Sequence, residues 1–288
     1  MNITFSLLHN FRYVILFCSG INLLSGCQSK KVTQPASVEA AKQEVLSSPE
    51  QKMEEAAAKF GAGDKEAALL LSKQALDLAT QAEPVDAGMV FKIRLGHSSI
   101  LLQGGKFDEA KAVILPAYAY AKENQAKSPK QFADALKYLG IIYMIKQEFV
   151  EAQTIYQNAA NISEKTLGPD HPETAKHLGN VGAALLGQKK IDESRKVLQR
   201  VIGIWEKQTE KHPVYWSGSL TTLAQCELEA GDQKKALEHF ESAYTIQKQA
   251  FGASDPRLLQ FKAKYMAFLK QIGDTNRIKE LEEEQTSE

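Results

Sequence analysis

Several features that mark enzymes and nucleic-acid-binding proteins are missing from this sequence. Its 35 basic and 35 acidic residues cancel, so the chain has no overall field that would attract nucleic acid. It has no GxGxxG motif, no other phosphate-binding loop and no basic stripe with interleaved aromatic residues. We therefore expect no nucleic-acid partner, no cofactor and no small-molecule substrate.

Cysteine and histidine are scarce as well, with three and six residues in 288. Beyond residue 27 only Cys226 remains. We interpret this single cysteine as a small buried apolar side chain rather than as a reactive thiol. His97 and His239 fall at apolar positions of the repeat described below, which favours buried structural histidines over metal ligands. His171 and His177 are six residues apart, which is not a metal-ligand spacing. The sequence thus predicts no catalytic residue and no metal site.

The N-terminal apolar stretch is too short to span a membrane. Val14 to Leu24 has about eleven residues, whereas a spanning helix needs about 20. It has the length of a signal-peptide core, and the following Leu24-Ser25-Gly26-Cys27 resembles the bacterial lipobox, in which the cysteine is lipidated after cleavage before it. The alternative interpretation is a cleaved secretory signal or a poorly ordered leader.

This resemblance predicts the first two segments of the chain. Residues 1–26 are expected to be a lipoprotein signal peptide, and 27–47 to be the lipidated Cys27 followed by a flexible linker. Gln28 stands where an aspartate would favour the inner membrane in enteric lipoproteins. The resemblance therefore implies a bacterial cell-envelope protein, lipid-anchored in the outer membrane and facing the periplasm.

The rest of the sequence contains a six-residue turn that recurs with a period of 42 residues, without insertion or deletion. The turns begin at Gly63, Gly105, Gln147, Lys189, Gly231 and Gly273. Seven residues before each turn stands a small residue in five of the six copies: Ala56, Ser98, Gly140, Gly182 and Ala224. Apolar residues at spacings of three and four lie on both sides of the turn, which predicts two antiparallel helices that approach closely at the small residue.

Helix starts can also be read from the sequence. Proline suits the first helical position because it has no N–H to satisfy there. Ser48 with Gln51 has capping-box spacing, and Asp255 is a good N-cap. The prolines at expected helix starts are Pro49, Pro129, Pro172, Pro213 and Pro256.

These columns resemble the tetratricopeptide repeat. Alanines follow the small column at 12 and 19 residues, as in Ala68 and Ala75. The 42-residue period and the linker from Leu167 to Thr174 look like the longer variety found in kinesin light chains and many bacterial proteins. The resemblance implies that residues 48–288 form an all-α, right-handed α-solenoid of about six helix–turn–helix repeats.

The same resemblance places a partner-binding groove on the concave face, which the first helices of the repeats line. Kinesin light chains carry paired asparagines there, whereas in this chain only Asn180 matches and Gly179 replaces its partner. The asparagine clamp of the family is therefore mostly missing. The candidate groove residues are Lys92, Lys137, Tyr138, Lys176, Asn180, Thr221 and Gln225.

Taken together, the sequence favours a scaffold rather than an enzyme. The expected function is that of a membrane-tethered adaptor that binds another protein of the cell envelope through the concave face. The alternative is a self-associating structural spacer, whose groove is filled by its own linker or by a second copy of the chain. One repeat architecture serves many unrelated partners, so the sequence names no partner.

Overall fold

The structure is a computed structural model that describes residues 47–208 and 212–286. The predicted signal peptide, Cys27 and the linker up to residue 46 lie outside the described residues. Lipidation and tethering therefore stay predictions.

Regular structure in the described part of the chain consists of twelve α-helices, without any β-strand. None of these helices is both long enough and apolar enough to cross a membrane. The predicted all-α class is confirmed. The helices are α1 (Pro49–Gly61), α2 (Lys65–Gln81), α3 (Ala87–Gln103), α4 (Phe107–Glu123), α5 (Pro129–Ile145), α6 (Phe149–Leu167), α7 (Pro172–Gly187), α8 (Ile191–Lys207), α9 (Pro213–Glu229), α10 (Gln233–Phe251), α11 (Pro256–Ile272) and α12 (Thr275–Thr286).

The described chain forms two compact units, which divide between residues 142 and 143. In the first unit, α1 to α4 pack in sequence, each against the next. In the second unit, α6 to α12 follow the same rule. Each unit is therefore built from consecutive helices that are neighbours in space, as expected for a helical repeat.

All six predicted turns have the same backbone conformation. Their first residues have positive φ angles between 60° and 85°. In each turn the next residue donates its N–H to the carbonyl five residues earlier, as Lys106 does to Leu101 at 2.8 Å. This is the Schellman arrangement, which closes a helix through a left-handed residue. Gln147 (φ 60°) and Lys189 (φ 61°) adopt it without being glycine, at a steric cost that glycine does not have.

The small column of the first helices is buried against the second helices. Ala56, Ser98 and Ala224 have no exposed surface. A β-carbon built on Gly182 would lie 2.7 Å from Cγ and Cδ2 of Leu198, so α7 and α8 approach as closely as glycine allows. The second-helix column is equally buried, with 0% exposure at Ala68, Ala110, Ala152, Ser194 and Ala236.

Three helix starts illustrate the side-chain caps, of which the sequence predicted the first two. Ser48 and Gln51 form a reciprocal capping box, with bonds of 2.8 and 3.2 Å. Asp255 Oδ1 accepts the N–H of Arg257 at 2.8 Å. His171 Nδ1 accepts the N–H of Glu173 at 3.1 Å and so caps α7. These bonds satisfy N–H groups that the first turn of a helix leaves without an internal partner.

Candidate functional site

The two faces of the second unit differ in how their helices pack. On one face, the first helices α7 and α9 of neighbouring repeats contact each other directly. On the other face, the second helices α8 and α10 flank a cleft of about 600 Å³. The first helices therefore line the closely packed side of this unit. In the first unit α1 and α3 contact each other in the same way.

Three of the predicted groove residues belong to the first unit. Lys92 is exposed on α3. Lys137 and Tyr138 are half-buried on α5, and the Lys137 Nζ lies 5.1 Å from the centroid of the Tyr138 ring. This distance is within the range of a cation–π contact, so the ring and the ammonium group form one amphipathic patch.

Lys176, the first predicted groove residue of the second unit, is already engaged inside the protein. Its Nζ lies 2.6 Å from Glu173 Oε1, and it also lies 4.5 Å from the centroid of the Tyr215 ring. Only 19% of the Lys176 side chain is exposed. The charge of Lys176 is therefore largely balanced by its own helix, and this part of the surface is less positive than the lysine count indicates.

Asn180 lies deeper than the other candidates. It is 6% exposed on α7, beside Gly179, whose missing β-carbon would lie 3.4 Å from Ser219 Oγ. On α9, Thr221 and Ser219 donate their hydroxyl hydrogens to carbonyls of their own helix, at 2.7 and 2.9 Å. Ser219 is buried, whereas Thr221 is half-buried; because its donor is used, the Thr221 hydroxyl can only accept a hydrogen bond from a ligand. Gln225 is half-buried one helical turn beyond Thr221.

The cleft between α8 and α10 carries a charged cluster that the sequence did not reveal. Arg195 donates from Nε and Nη2 to the two carboxylate oxygens of Glu227, at 2.9 and 3.1 Å, and Glu227 is only 4% exposed. The hydrogen bond to Glu227 raises the pKa of Arg195. Lys235 Nζ pairs with Asp232 at 3.0 Å beside them. Arg195 and Glu227 are 32 residues apart in the sequence. Only the register of the repeats could therefore have indicated that they form a pair.

His239 lines this cleft, and its placement corrects the sequence interpretation. It was expected to be a buried histidine in an apolar column, but it is half-buried at the cleft wall. The cleft lies between the second helices α8 and α10 there, so His239 faces a cavity rather than a neighbouring helix. Burial lowers the pKa of His239 below its ordinary value of 6.5.

His97 and Cys226 are buried as predicted. His97 Nδ1 is 2.8 Å from Ser72 Oγ on the neighbouring helix, and burial lowers the pKa of His97. Cys226 Sγ is 3.2 Å from Ser194 Oγ, and burial raises the pKa of the Cys226 thiol. In the part of the chain that the structure describes, no group of three or more His, Cys, Asp or Glu residues could hold a metal ion.

Comparison with known proteins connects this geometry to a repeat family. The family model described as the tetratricopeptide repeat matches residues 131–207. The Arabidopsis thaliana proteins KINESIN LIGHT CHAIN-RELATED 2 and 3 are 23% and 25% identical to this chain over 141 and 167 residues. The crystal structure of BtubC (BKLC) from P. vanneervenii matches with a TM-score of 0.62 at 21% identity, covering 72% of this chain and 82% of that chain.

These similarities support the fold and the repeat type. The chain has kinesin-light-chain-like relatives, and its residues 131–207 match the tetratricopeptide-repeat model. The matches cover 49% and 58% of this chain but only 21% and 26% of the length of the two Arabidopsis proteins. What the similarity establishes is an all-helical repeat fold, which typically provides an extended surface for protein–protein interaction rather than a catalytic site.

Proposed function

We propose that this protein is a membrane-tethered scaffold that binds another cell-envelope protein through the first-helix face of its repeats. The observation that carries the proposal is the direct packing of α7 on α9, which joins the first helices of two repeats into one continuous surface. Asn180, Thr221 and Gln225 belong to that surface. The tether is the lipid on Cys27, in accordance with the lipobox resemblance.

The chemistry of this surface favours a partner that supplies hydrogen-bond donors. The half-buried Thr221 presents an acceptor oxygen, and Lys176 is balanced by Glu173. In the second unit Asn180 adds an amide group; in the first unit, taken separately, Tyr138 offers an aromatic ring beside the Lys137 ammonium group. Interface energy concentrates in a few such residues and favours aromatic side chains over scattered charges.

Site-specific crosslinking in cells tests the surface. A photo-crosslinking amino acid at Gln225 on α9 should capture a distinct envelope protein. The same amino acid at Lys196, which is exposed on the second helix α8, is the matched control and should capture much less. Equal capture from both positions would contradict the proposed face. Capture of a second copy of this chain from Gln225 would instead support the self-associating spacer.

Two substitutions separate affinity from charge steering. Tyr138→Ala should weaken partner capture more than Lys92→Ala does, because a truncated aromatic anchor costs more than an exposed charge. Lys92→Ala should chiefly slow association and reduce its dependence on salt. Unchanged capture by a triple alanine variant of Lys137, Tyr138 and Asn180 would move the site away from this face. Circular dichroism of each variant checks that the chain remains folded.

The tether is tested independently of the groove. Cys27→Ala should abolish acylation and leave the protein unprocessed or unattached to the membrane. Mass spectrometry of the mature N-terminus gives the answer directly. An unlipidated N-terminus at another residue would overturn the lipoprotein assignment and leave the scaffold proposal intact.

A further inference from the structure

The solvent-facing side of α4 is apolar, unlike that of the other second helices. Leu115 on this helix is 43% exposed, although it is a large hydrophobic residue. Ala112, Pro116 and Ala119 are exposed beside it. Residues at spacings of three and four share one face of a helix, so α4 presents a row of apolar side chains to the solvent.

The register of the repeats shows how far this face departs from the rest of the chain. Polar residues occupy all four equivalent positions in α6 and in α10. They are Thr154, Gln157, Asn158 and Asn161 in α6, and Glu238, Glu241, Ser242 and Thr245 in α10. In α2 and α8, three of the four equivalent positions are polar. Adjacent exposed apolar residues mark interaction sites more often than isolated ones do, so the row on α4 indicates a contact surface.

The apolar row ends in opposite charges at equal distances from its centre. Asp108 and Lys122 are both exposed, and each stands seven residues from Leu115. Alternating spacings of four and three residues, which form the seam of a helix pair, connect Asp108, Ala112, Leu115, Ala119 and Lys122. The seam is therefore negative at its N-terminal end, positive at its C-terminal end and apolar between them.

Such a seam is complementary to a second copy of itself in the antiparallel direction. With the two Leu115 side chains opposite each other, Asp108 of each copy would face Lys122 of the other copy. Ala112 would then lie opposite Ala119, and these small side chains would allow the two helix axes to approach closely. A parallel pair would instead place like charges opposite each other at both ends of the seam. The charges therefore favour the antiparallel arrangement.

We propose that this face of α4 is a dimerisation surface, on which two copies of the chain pair antiparallel about a two-fold axis at Leu115. Such an interface is isologous, so it closes after two copies and does not continue into a fibre. A pair of 17-residue helices buries less than the roughly 800 Å² per partner of a standard interface, so the dimer is weak and depends on concentration. It belongs to a second helix, whereas first helices form the proposed partner surface, and neither surface depends on the other.

Disulfide crosslinking of the full chain tests the pairing, because it traps a weak dimer. Leu115→Cys should form a covalent dimer under mild oxidation with copper phenanthroline. The matched control is Gln199→Cys, since Gln199 is exposed on α8 two repeat periods later. It should give several-fold less dimer, and the unmodified chain measures the background from the native cysteines. Equal yields from the two variants would overturn the proposal.

The direction of the helices is tested with two variants that carry tags of different mass. Ala112→Cys mixed with Ala119→Cys should give the mixed dimer, whereas either variant alone should give only background. A covalent dimer of Ala112→Cys with itself would indicate a parallel pair and contradict the arrangement.

Reversal of the charges tests the chemistry of the seam. In the Leu115→Cys chain, either Asp108→Lys or Lys122→Asp should lower the yield of dimer several-fold, because two attractive pairs become two repulsive ones. The two changes together should restore the yield, and failure to do so would overturn the charge pairing. A photo-crosslinking amino acid at Leu115 identifies the occupant directly. Capture of a second copy supports the proposal, whereas capture of lipid or of a different protein alone refutes it.

Discussion

Replacement of Gly182 by alanine tests the closest approach between helices in the second unit. The new β-carbon would lie 2.7 Å from two carbon atoms of Leu198, whereas carbon atoms in contact are normally about 3.5 to 4.0 Å apart. Leu198 has no exposed surface and packs with Leu186, Leu223 and Cys226. It therefore has no free space to move into, and the helices must separate.

The energetic cost follows from two opposing effects. Overpacking of a filled core costs about 1–3 kcal/mol. Replacement of glycine by alanine inside a helix gains about 1 kcal/mol. A matched control isolates the first effect: Gly203 lies within α8, and a β-carbon there would meet nothing within 4 Å. Gly203→Ala should be stabilising, so the difference between the two variants should be the overpacking cost alone.

Hydrogen exchange is the appropriate measurement, since a helical repeat need not unfold in one step. Gly182→Ala should lower the protection of amides in α7 and α8 by the free energy of overpacking less the gain from alanine in the helix, while Gly203→Ala should raise or preserve it. If both variants raised protection equally, the close contact of Gly182 with Leu198 would be wrong, and with it the register of the small column.

Three further predictions concern the turns, a histidine and a buried charge. Gln147→Gly should raise the melting temperature, since it relieves a left-handed conformation that costs a non-glycine residue about 1 kcal/mol. Because the pKa of His97 is lowered in the folded state, stability should fall as the pH decreases through about 6.5 and below, and His97→Leu should reduce that loss in urea titrations at pH 7.5 and 5.5. Arg195→Gln should destabilise the chain by on the order of 3 kcal/mol in chemical denaturation, because it leaves the carboxylate of Glu227 buried without its partner. The additional change Glu227→Leu should recover most of that loss, and failure to do so would contradict the pairing.

The fold could be predicted almost completely because it depends on local and periodic signals. The turn at Gly63 recurs five times at the same spacing, and the first residue of each copy has the same left-handed conformation. Small residues such as Ala56 and Gly182 mark helix contacts in every copy but the last. These signals depend on sequence spacing alone, so no knowledge of distant contacts was needed.

The candidate partner surface could be predicted only from the position of each residue in the repeat. The repeat register correctly assigned Lys176 to a first helix. Its ion pair with Glu173 and its contact with the Tyr215 ring, however, depend on side-chain conformations that sequence spacing does not determine. His239 was assigned to a packed column, because no local signal in the sequence reveals the cleft between α8 and α10.

The identical geometry of the turns has a consequence for how a chain of this kind can change its length. Residues 189–230 begin at one turn and end immediately before the equivalent residue, Gly231, of the next. Their removal would join Gln188 to Gly231 and recreate the turn with a glycine at its left-handed position. Arg195 and Glu227 would leave together, so no buried charge would lose its counterpart. Genetic gain or loss of 42-residue blocks can therefore lengthen or shorten the row of stacked helices in fixed steps, while every remaining junction keeps a conformation that the chain already uses.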